Sequence, residues 1–249
     1  METNKIHLED CMETMKRFSD RSIDYCITSP PYNVSTIAFS NKTFGGVGKY
    51  KGYKDDMKDE DYFENQKKVI SEMLRITKNH IFYNIQMVSG NKFALHQLMG
   101  HFHKNLKEVL IWSKTSDKFQ GQPAISEKVF NSAFEYILVF SNSYPEKRLF
   151  EDANFKRGTQ PNIFKIKNSH SNKFSDVHKA VFPLDLPRYF MQNFGNDGDI
   201  WYDHYMGTGT TGVGALLEKK KYIGSEIFNK YKELAENRLL PYLTQKTLF

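Results

Sequence analysis

Cysteine is scarce in this chain of 249 residues: Cys11 and Cys26 form no CxxC pair and no disulfide framework. That excludes a small cross-linked secreted scaffold and predicts a reducing, cytoplasmic setting. No stretch approaches the ~20 apolar residues of a membrane span. The first residues, Met1-Glu2-Thr3-Asn4-Lys5, carry acid and amide where a signal peptide would carry an apolar core. A soluble, unprocessed chain without a membrane partner is expected. Histidine is sparse as well. His96, His101 and His103 lie near one another, but no Cys or carboxylate completes a metal-ligand spacing, so no metal is expected. Internal repeats and low-complexity tracts are absent.

The length suits one domain, read as residues 1–249, with a full hydrophobic core. There are 35 Lys+Arg against 29 Asp+Glu, a net charge of +6, which favours a polyanionic partner without requiring one. Short β-branched or aromatic runs alternate with amphipathic stretches, as in a sheet with helices on its faces. Strands are predicted at 5–8, 23–27, 81–85, 108–112, 136–140, 200–203 and 222–224. Helices are predicted at 10–17, 59–77, 186–194, 210–219 and 229–239. The fold class is thus α/β, a Rossmann-like, doubly wound, mostly parallel sheet. Two segments break the rhythm. Residues 33–54 hold four glycines with several lysines and read as a mobile loop; residues 141–177 are rich in Asn, Ser, Lys and Phe and read as irregular.

Two motifs carry chemistry. In Thr28-Ser29-Pro30-Pro31-Tyr32 a strand runs into two prolines, which fix φ and remove backbone donors. The Ser29 hydroxyl and Pro30 carbonyl then offer two acceptors for a planar ring amino group, with Pro31 shaping the turn and Tyr32 supplying a stacking face. The second motif, Asp203-His204-Tyr205-Met206-Gly207-Thr208-Gly209-Thr210-Thr211-Gly212, is a strand, a glycine turn and a helix start. Such a turn admits a ligand close to the backbone. Glu226 follows at the end of the next strand, where a carboxylate takes both ribose hydroxyls of an adenosine-bearing cofactor. The glycine spacing alone fits a nicotinamide cofactor equally well.

Taken together, these two motifs resemble those of the DNA amino-methyltransferases of bacteria and phages. The catalytic motif precedes the glycine motif, an order similar to that of the family's permuted β group. The resemblance extends to His178-Lys179-Ala180-Val181-Phe182-Pro183-Leu184-Asp185-Leu186, similar to the segment that lines the cofactor's methionine end, and to Asp10-Cys11, similar to the acidic position at the adenine. It implies S-adenosylmethionine as cofactor, S-adenosylhomocysteine as product and double-stranded DNA as partner, the target base being flipped into the site. Asp203, Tyr205 and the turn of Gly207, Gly209, Thr210 and Thr211 would hold the methionine part, and Phe182 and Pro183 its lining. The family often has Asp-Pro-Phe where this chain has Asp203-His204-Tyr205, which leaves the role of His204 open. Ser at position 29 favours N4 of cytosine over N6 of adenine. No Pro-Cys dipeptide supplies a thiolate for attack on carbon-5 of cytosine, so direct transfer is expected.

Lys49, Lys51, Lys54, Lys165 and Lys167, with Lys114, Lys118 and Arg157, lie in or beside the irregular segments and are candidates for phosphate contacts. Residues 141–177 are the candidate target-recognition segment. A homodimer and a cognate restriction endonuclease acting on the same site are compatible partners that the sequence does not decide. Two rival readings exist: a nicotinamide-dependent oxidoreductase, which gives the Pro-Pro-Tyr turn no role, and a non-catalytic DNA-binding subunit, which leaves the cofactor motifs unused.

Overall fold

The computed structural model describes residues 1–34, 56–114, 128–143, 146–167 and 182–244. Lys49, Lys51, Lys54, Lys118 and most of the 33–54 loop fall outside the described residues, as do His178 to Val181.

The elements run β1 (Lys5–Leu8), α1 (Cys11–Lys16), β2 (Tyr25–Thr28), α2 (Asp59–Ile76), β3 (His80–Ile85), α3 (Lys92–His101), β4 (Leu106–Ser113), β5 (Phe134–Ser141), β6 (Ile163–Lys165), α4 (Asp185–Asn193), β7 (Ile200–Asp203), α5 (Thr210–Leu217), β8 (Lys221–Glu226) and α6 (Asn229–Thr244). The strands form one eight-stranded sheet in the order β1-β8-β7-β2-β3-β5-β4-β6. The run from β1 to β3 is parallel throughout. β5 lies antiparallel between β3 and β4, and β6 is parallel to β4.

Every residue of β2 and β3 is buried, which is why their sequences, Tyr-Cys-Ile-Thr and His-Ile-Phe-Tyr-Asn-Ile, read as continuous apolar runs and show no alternation. The helices divide between the faces. Met15 of α1, Val69 and Met73 of α2, and Leu95 and Leu98 of α3 fill the core on one side. Phe190 and Met191 of α4, Val213 of α5, and Ala235 and Leu239 of α6 fill the other. On this second side aromatic rings join strand to strand and strand to helix: Tyr25 of β2 stacks on Trp201 of β7 at 4.6 Å, and Phe82 of β3 on Phe190 of α4 at 4.3 Å between ring centroids. Among the described residues no helix is long and apolar enough to cross a membrane.

Two elements depart from the sequence expectation. α3 was not expected, and its start explains why. No local side chain caps it; instead Asp59, the first residue of α2, accepts from the backbone N–H groups of Phe93 (3.1 Å) and Ala94 (2.8 Å). The second is β6, which lies inside the segment read as irregular and is only three residues long, too short to display a period. That segment is also anchored to the sheet by Asp152, which accepts from the Tyr25 hydroxyl at 2.6 Å and lies 2.7 Å from His80 Nε2.

Since Asp59 satisfies two backbone donors of a helix it does not belong to, Asp59→Ala should lower stability by about 1 kcal/mol. A urea midpoint equal to that of the wild type would remove Asp59 as the cap of α3.

Candidate active site

β7, β8, β1 and β2 are mutually parallel, so their carboxyl ends share one edge of the sheet. From β7 the chain passes through α5 to β8 on one side, and from β2 through α2 to β3 on the other. The boundary between β7 and β2 is therefore the topological switch point, where open α/β sheets leave a crevice. A cavity of about 1050 Å³, open mouth included, lies there. It is lined from each strand end in turn: His204 to Thr208 after β7, Glu226 after β8, Asp10 to Met12 after β1, and Ser29 and Pro31 after β2.

The glycine turn is built around positive backbone angles. Gly207 has φ +52° and Gly209 φ +77°, values that side chains with a Cβ rarely adopt. A Cβ on Gly209 would also lie 3.0 Å from the Cβ of Ala235. The turn delivers the Gly207 N–H to Glu226 Oε2 at 2.9 Å, while Glu226 Oε1 accepts from the Phe228 N–H at 2.9 Å. Burial raises the Glu226 carboxyl above its ordinary value, and those two backbone bonds oppose the rise. Each of its oxygens keeps further acceptor capacity at the cavity wall, the requirement for gripping two vicinal hydroxyls. Asp10 lines the adjacent wall and caps α1, accepting from the Met12 N–H at 2.8 Å.

Asp203 occupies a different position from the one expected of a cofactor ligand. It is 1% exposed and does not line the cavity. Its Oδ1 accepts from the Thr28 hydroxyl (2.9 Å) and the Tyr205 N–H (3.0 Å), and its Oδ2 from the Thr211 hydroxyl (2.6 Å). Thr211 and Gly209 are likewise behind the wall, whereas Tyr205, Gly207 and Thr210 form part of it. Nothing local marks Thr28 as a partner, because 175 residues separate it from Asp203. Beside them His204 lines the cavity at 1% exposure, and neither ring nitrogen has a hydrogen-bond partner among the described residues. Burial holds the imidazole neutral, lowering its pKa to about 3.

Across the cavity, Ser29 is half-buried on the wall formed by the Pro-Pro turn. The Pro31 carbonyl accepts from the buried Tyr62 hydroxyl at 2.7 Å. No described residue bonds the Pro30 carbonyl. Behind Ser29 stands a network that sequence reasoning missed. The hydroxyls of Ser29 and Tyr32 are 2.8 Å apart, and Tyr32 donates to Glu135 Oε2 at 2.7 Å. Asn84 Nδ2 lies 2.8 Å from both the Tyr32 hydroxyl and Glu135 Oε2. Lys114, a phosphate candidate by sequence, has a buried side chain and bonds Glu135 Oε1 at 3.0 Å.

Phe182 lines the cavity, and Pro183 is buried at the start of α4, its carbonyl accepting from Leu186 N at 3.0 Å. Lys165 and Lys167 are exposed at and just beyond the end of β6. β6 runs parallel to β4, which the intervening β5 makes parallel to β3, so these lysines sit on the same sheet edge as the cavity. His96 and His101 are exposed on α3, and no group of three or more potential metal ligands occurs among the described residues.

Burial pushes the Asp203 carboxyl up from 3.8 to about 6, its three hydrogen bonds offsetting only part of the desolvation. Between those values the folded chain keeps a proton that the unfolded chain has lost, so this residue lowers stability as pH rises from about 4 to 6 and adds no further change above that. Two pH units at about 1.4 kcal/mol each set an upper bound near 3 kcal/mol. Asp203→Asn keeps the Oδ1 acceptor without the charge. Its stability relative to wild type should therefore climb across pH 4 to 6 in urea titrations, and a constant difference would show that Asp203 does not titrate there.

The family model for DNA methylases matches residues 23–237. The orphan methyltransferase M.BamHII of Bacillus amyloliquefaciens is 25% identical over 271 residues, covering 92% of each chain. Among solved structures, the PvuII DNA methyltransferase (cytosine-N4-specific) superposes with a TM-score of 0.69 at 17% identity, covering 100% of this chain and 89% of that one. The M1.HpyAVI–SAM complex gives a TM-score of 0.61 at 17% identity, with 94% and 99% covered. The resemblance read from the sequence and the shared fold agree, and the chain belongs to the DNA methylase family, the N4-cytosine/N6-adenine amino-methyltransferases.

Proposed function

We propose that this protein transfers a methyl group from S-adenosylmethionine to the exocyclic amino group of a base flipped out of double-stranded DNA, N4 of cytosine being the favoured acceptor. One observation carries the proposal: Ser29 and Pro31 of the Pro-Pro turn and the Glu226 carboxylate line a single cavity at the switch point of the sheet. The donor set fits the cofactor. Glu226 takes the ribose hydroxyls, Asp10 the adenine side, and Phe182, Tyr205, Gly207 and Thr210 the methionine side. The neutral imidazole of His204, which has no hydrogen-bond partner among the described residues, offers that side one donor and one acceptor. Asp203, Gly209 and Thr211 act from behind, by fixing the turn.

When bound, S-adenosylmethionine supplies an electrophilic methyl group. The protein's part is to make a ring amino nitrogen nucleophilic. Ser29 Oγ and the Pro30 carbonyl accept its two hydrogens and draw its lone pair out of ring conjugation, while Tyr32 stacks on the base in place of its lost neighbours. A hydroxyl at position 29 accepts a hydrogen bond without carrying charge, so the surplus proton leaves to solvent after transfer. The family motif with Ser at this position supports cytosine. Residues 141–177 are the proposed target-recognition segment, with Lys49, Lys51, Lys54, Lys165 and Lys167 at phosphates. A Lys165→Ala, Lys167→Ala double variant should lower the log–log salt slope of DNA binding by about 2, and an unchanged slope would return both lysines to solvent.

Nucleoside mass spectrometry of DNA from cells expressing the protein, with mapping of modified positions, tests the function. N4-methylcytosine is the expected product. N6-methyladenine alone would overturn the cytosine assignment, and no methylated base would overturn the proposal. For the cofactor site, Glu226→Ala removes charge-assisted bonds of about 1.5 to 3 kcal/mol each. Calorimetry should then register weaker S-adenosylmethionine binding by at least tenfold; equal affinity would take Glu226 out of the site.

A further inference from the structure

We infer that Glu135 fixes the direction of hydrogen bonding at Ser29, holding the Ser29 hydroxyl as an acceptor toward the cavity and so selecting a ring amino group over a ring carbonyl. The inference rests on the base-methylation reading above and adds a specificity-determining residue to it.

The direction follows from counting protons. An ionised Glu135 can only accept. Lys114 Nζ, 3.0 Å from Oε1 and 3.2 Å from the Gln86 amide oxygen, holds one carboxylate oxygen. At Oε2 the Tyr32 hydroxyl spends its single proton, over 2.7 Å. The Tyr32 oxygen then has only lone pairs left for Ser29, so across their 2.8 Å contact Ser29 must donate. Asn84 obeys the same constraint: its amide nitrogen faces Glu135 Oε2 and the Tyr32 oxygen, both at 2.8 Å, adding a second donor to each acceptor. With its own proton committed to Tyr32 and Asn84 Nδ2 lying 3.3 Å from its oxygen, Ser29 turns its remaining lone pair toward the cavity it lines. An amino group, which brings hydrogens, is met by an acceptor; a carbonyl oxygen in the same place meets lone pairs. A site built to bond one and leave the other unpaired discriminates strongly.

Glu135 is 8% exposed and β5 begins at the same sheet edge as the cavity, so water does not scramble the chain of bonds. Glu135→Gln changes the polarity. Its oxygen is drawn to Lys114, its NH2 then faces Tyr32, and the Tyr32 hydroxyl is released to donate to Ser29. The Ser29 proton then turns to the cavity.

The test is binding to two duplexes that differ only at the target base, once the modified sequence is mapped. One carries the natural amino base and the other its oxo counterpart, uracil for cytosine or hypoxanthine for adenine, each titrated with S-adenosylhomocysteine present. Both proteins meet the same duplexes, so the ease of flipping each base cancels in the comparison. Glu135→Gln should reduce the amino-to-oxo affinity ratio by about tenfold while leaving S-adenosylhomocysteine affinity within about twofold. On a Tyr32→Phe background the chain is already broken, so Glu135→Gln should shift the ratio no further. A ratio unchanged from wild type, in a variant that still binds S-adenosylhomocysteine, would overturn the inference. So would equal shifts with and without the Tyr32 hydroxyl, the mark of a purely structural role. If Glu135→Gln fails to fold, Tyr32→Phe breaks the same chain one link closer to Ser29, and an unshifted ratio there overturns it equally. Failure of the wild-type protein to methylate any base is separate, and removes the reading beneath it.

Discussion

The arrangement of the site depends on the carboxylate of Asp203, buried at the end of β7 with no cation beside it among the described residues. It gathers the Thr28 hydroxyl from β2, the Thr211 hydroxyl from α5 and the Tyr205 backbone N–H of its own turn. Strand pairing brings β2 and β7 side by side, with Tyr25 opposite Trp201 and Cys26 opposite Tyr202, but pairing ends before the functional residues begin. Asp203 carries the alignment past the end of the ladder. Thr28 is the residue before Ser29, and Thr211 lies in the first turn of the helix that closes the glycine loop. One side chain therefore ties the wall proposed to face the base to the wall proposed to face the cofactor. Isolated buried carboxylates are expensive, and the raised pKa of Asp203 measures how incompletely three neutral donors offset that expense.

Among the described residues three carboxylates are buried around the site, and each solves the desolvation problem in a way that suits its place. Asp203 uses neutral donors on a strand, a turn and a helix, and turns nothing to the cavity. Glu226 uses two backbone N–H groups and keeps acceptor capacity at the wall. Glu135 uses the ammonium of Lys114 on one oxygen and neutral donors on the other. The first fixes geometry, the second is suited to binding, and the third orders the hydrogen bonds behind Ser29. Their environments separate these tasks more clearly than their residue types do.

Much of this was legible in the sequence, for identifiable reasons. Buried parallel strands announce themselves as short apolar runs bounded by turns, so β1, β2, β3, β7 and β8 were found within two residues of their ends. Ser29, Pro31, Gly207 and Glu226 stand out as candidates because motif chemistry is local, an acceptor beside two prolines, a glycine turn, an acid at the next strand end, and all four line the cavity. What stayed hidden depended on partners distant in the chain. The start of α3 is stabilised by Asp59 on another helix, so no cap appears beside it. The insertion of β5 between β3 and β4 leaves no trace in either strand, since both would be apolar in any order. Glu135 is the second residue of the run Phe-Glu-Tyr-Ile-Leu-Val-Phe, just before the strand predicted at 136–140, and nothing beside it in the sequence marks a role. Only the pairing of β3 with β5 puts it beside Asn84 and Tyr32.

The same network bears on why a serine suffices at position 29. A carboxylate there would both accept an amino hydrogen and stabilise positive charge on the nitrogen, whereas a free hydroxyl does neither reliably, because it rotates and offers proton or lone pair as the partner demands. Placing a carboxylate two hydroxyls further back restores the first property without the second. The negative charge of Glu135 is largely balanced by Lys114, so little of it is felt at the cavity. What does pass along the chain is direction, since each hydroxyl has one proton and Glu135 claims the first. A serine oriented in this way is an acceptor as fixed as a carbonyl, set beside the actual carbonyl of Pro30. Recognition of the amino group then rests on geometry and lone-pair direction, and charge is left to the cofactor side of the cavity.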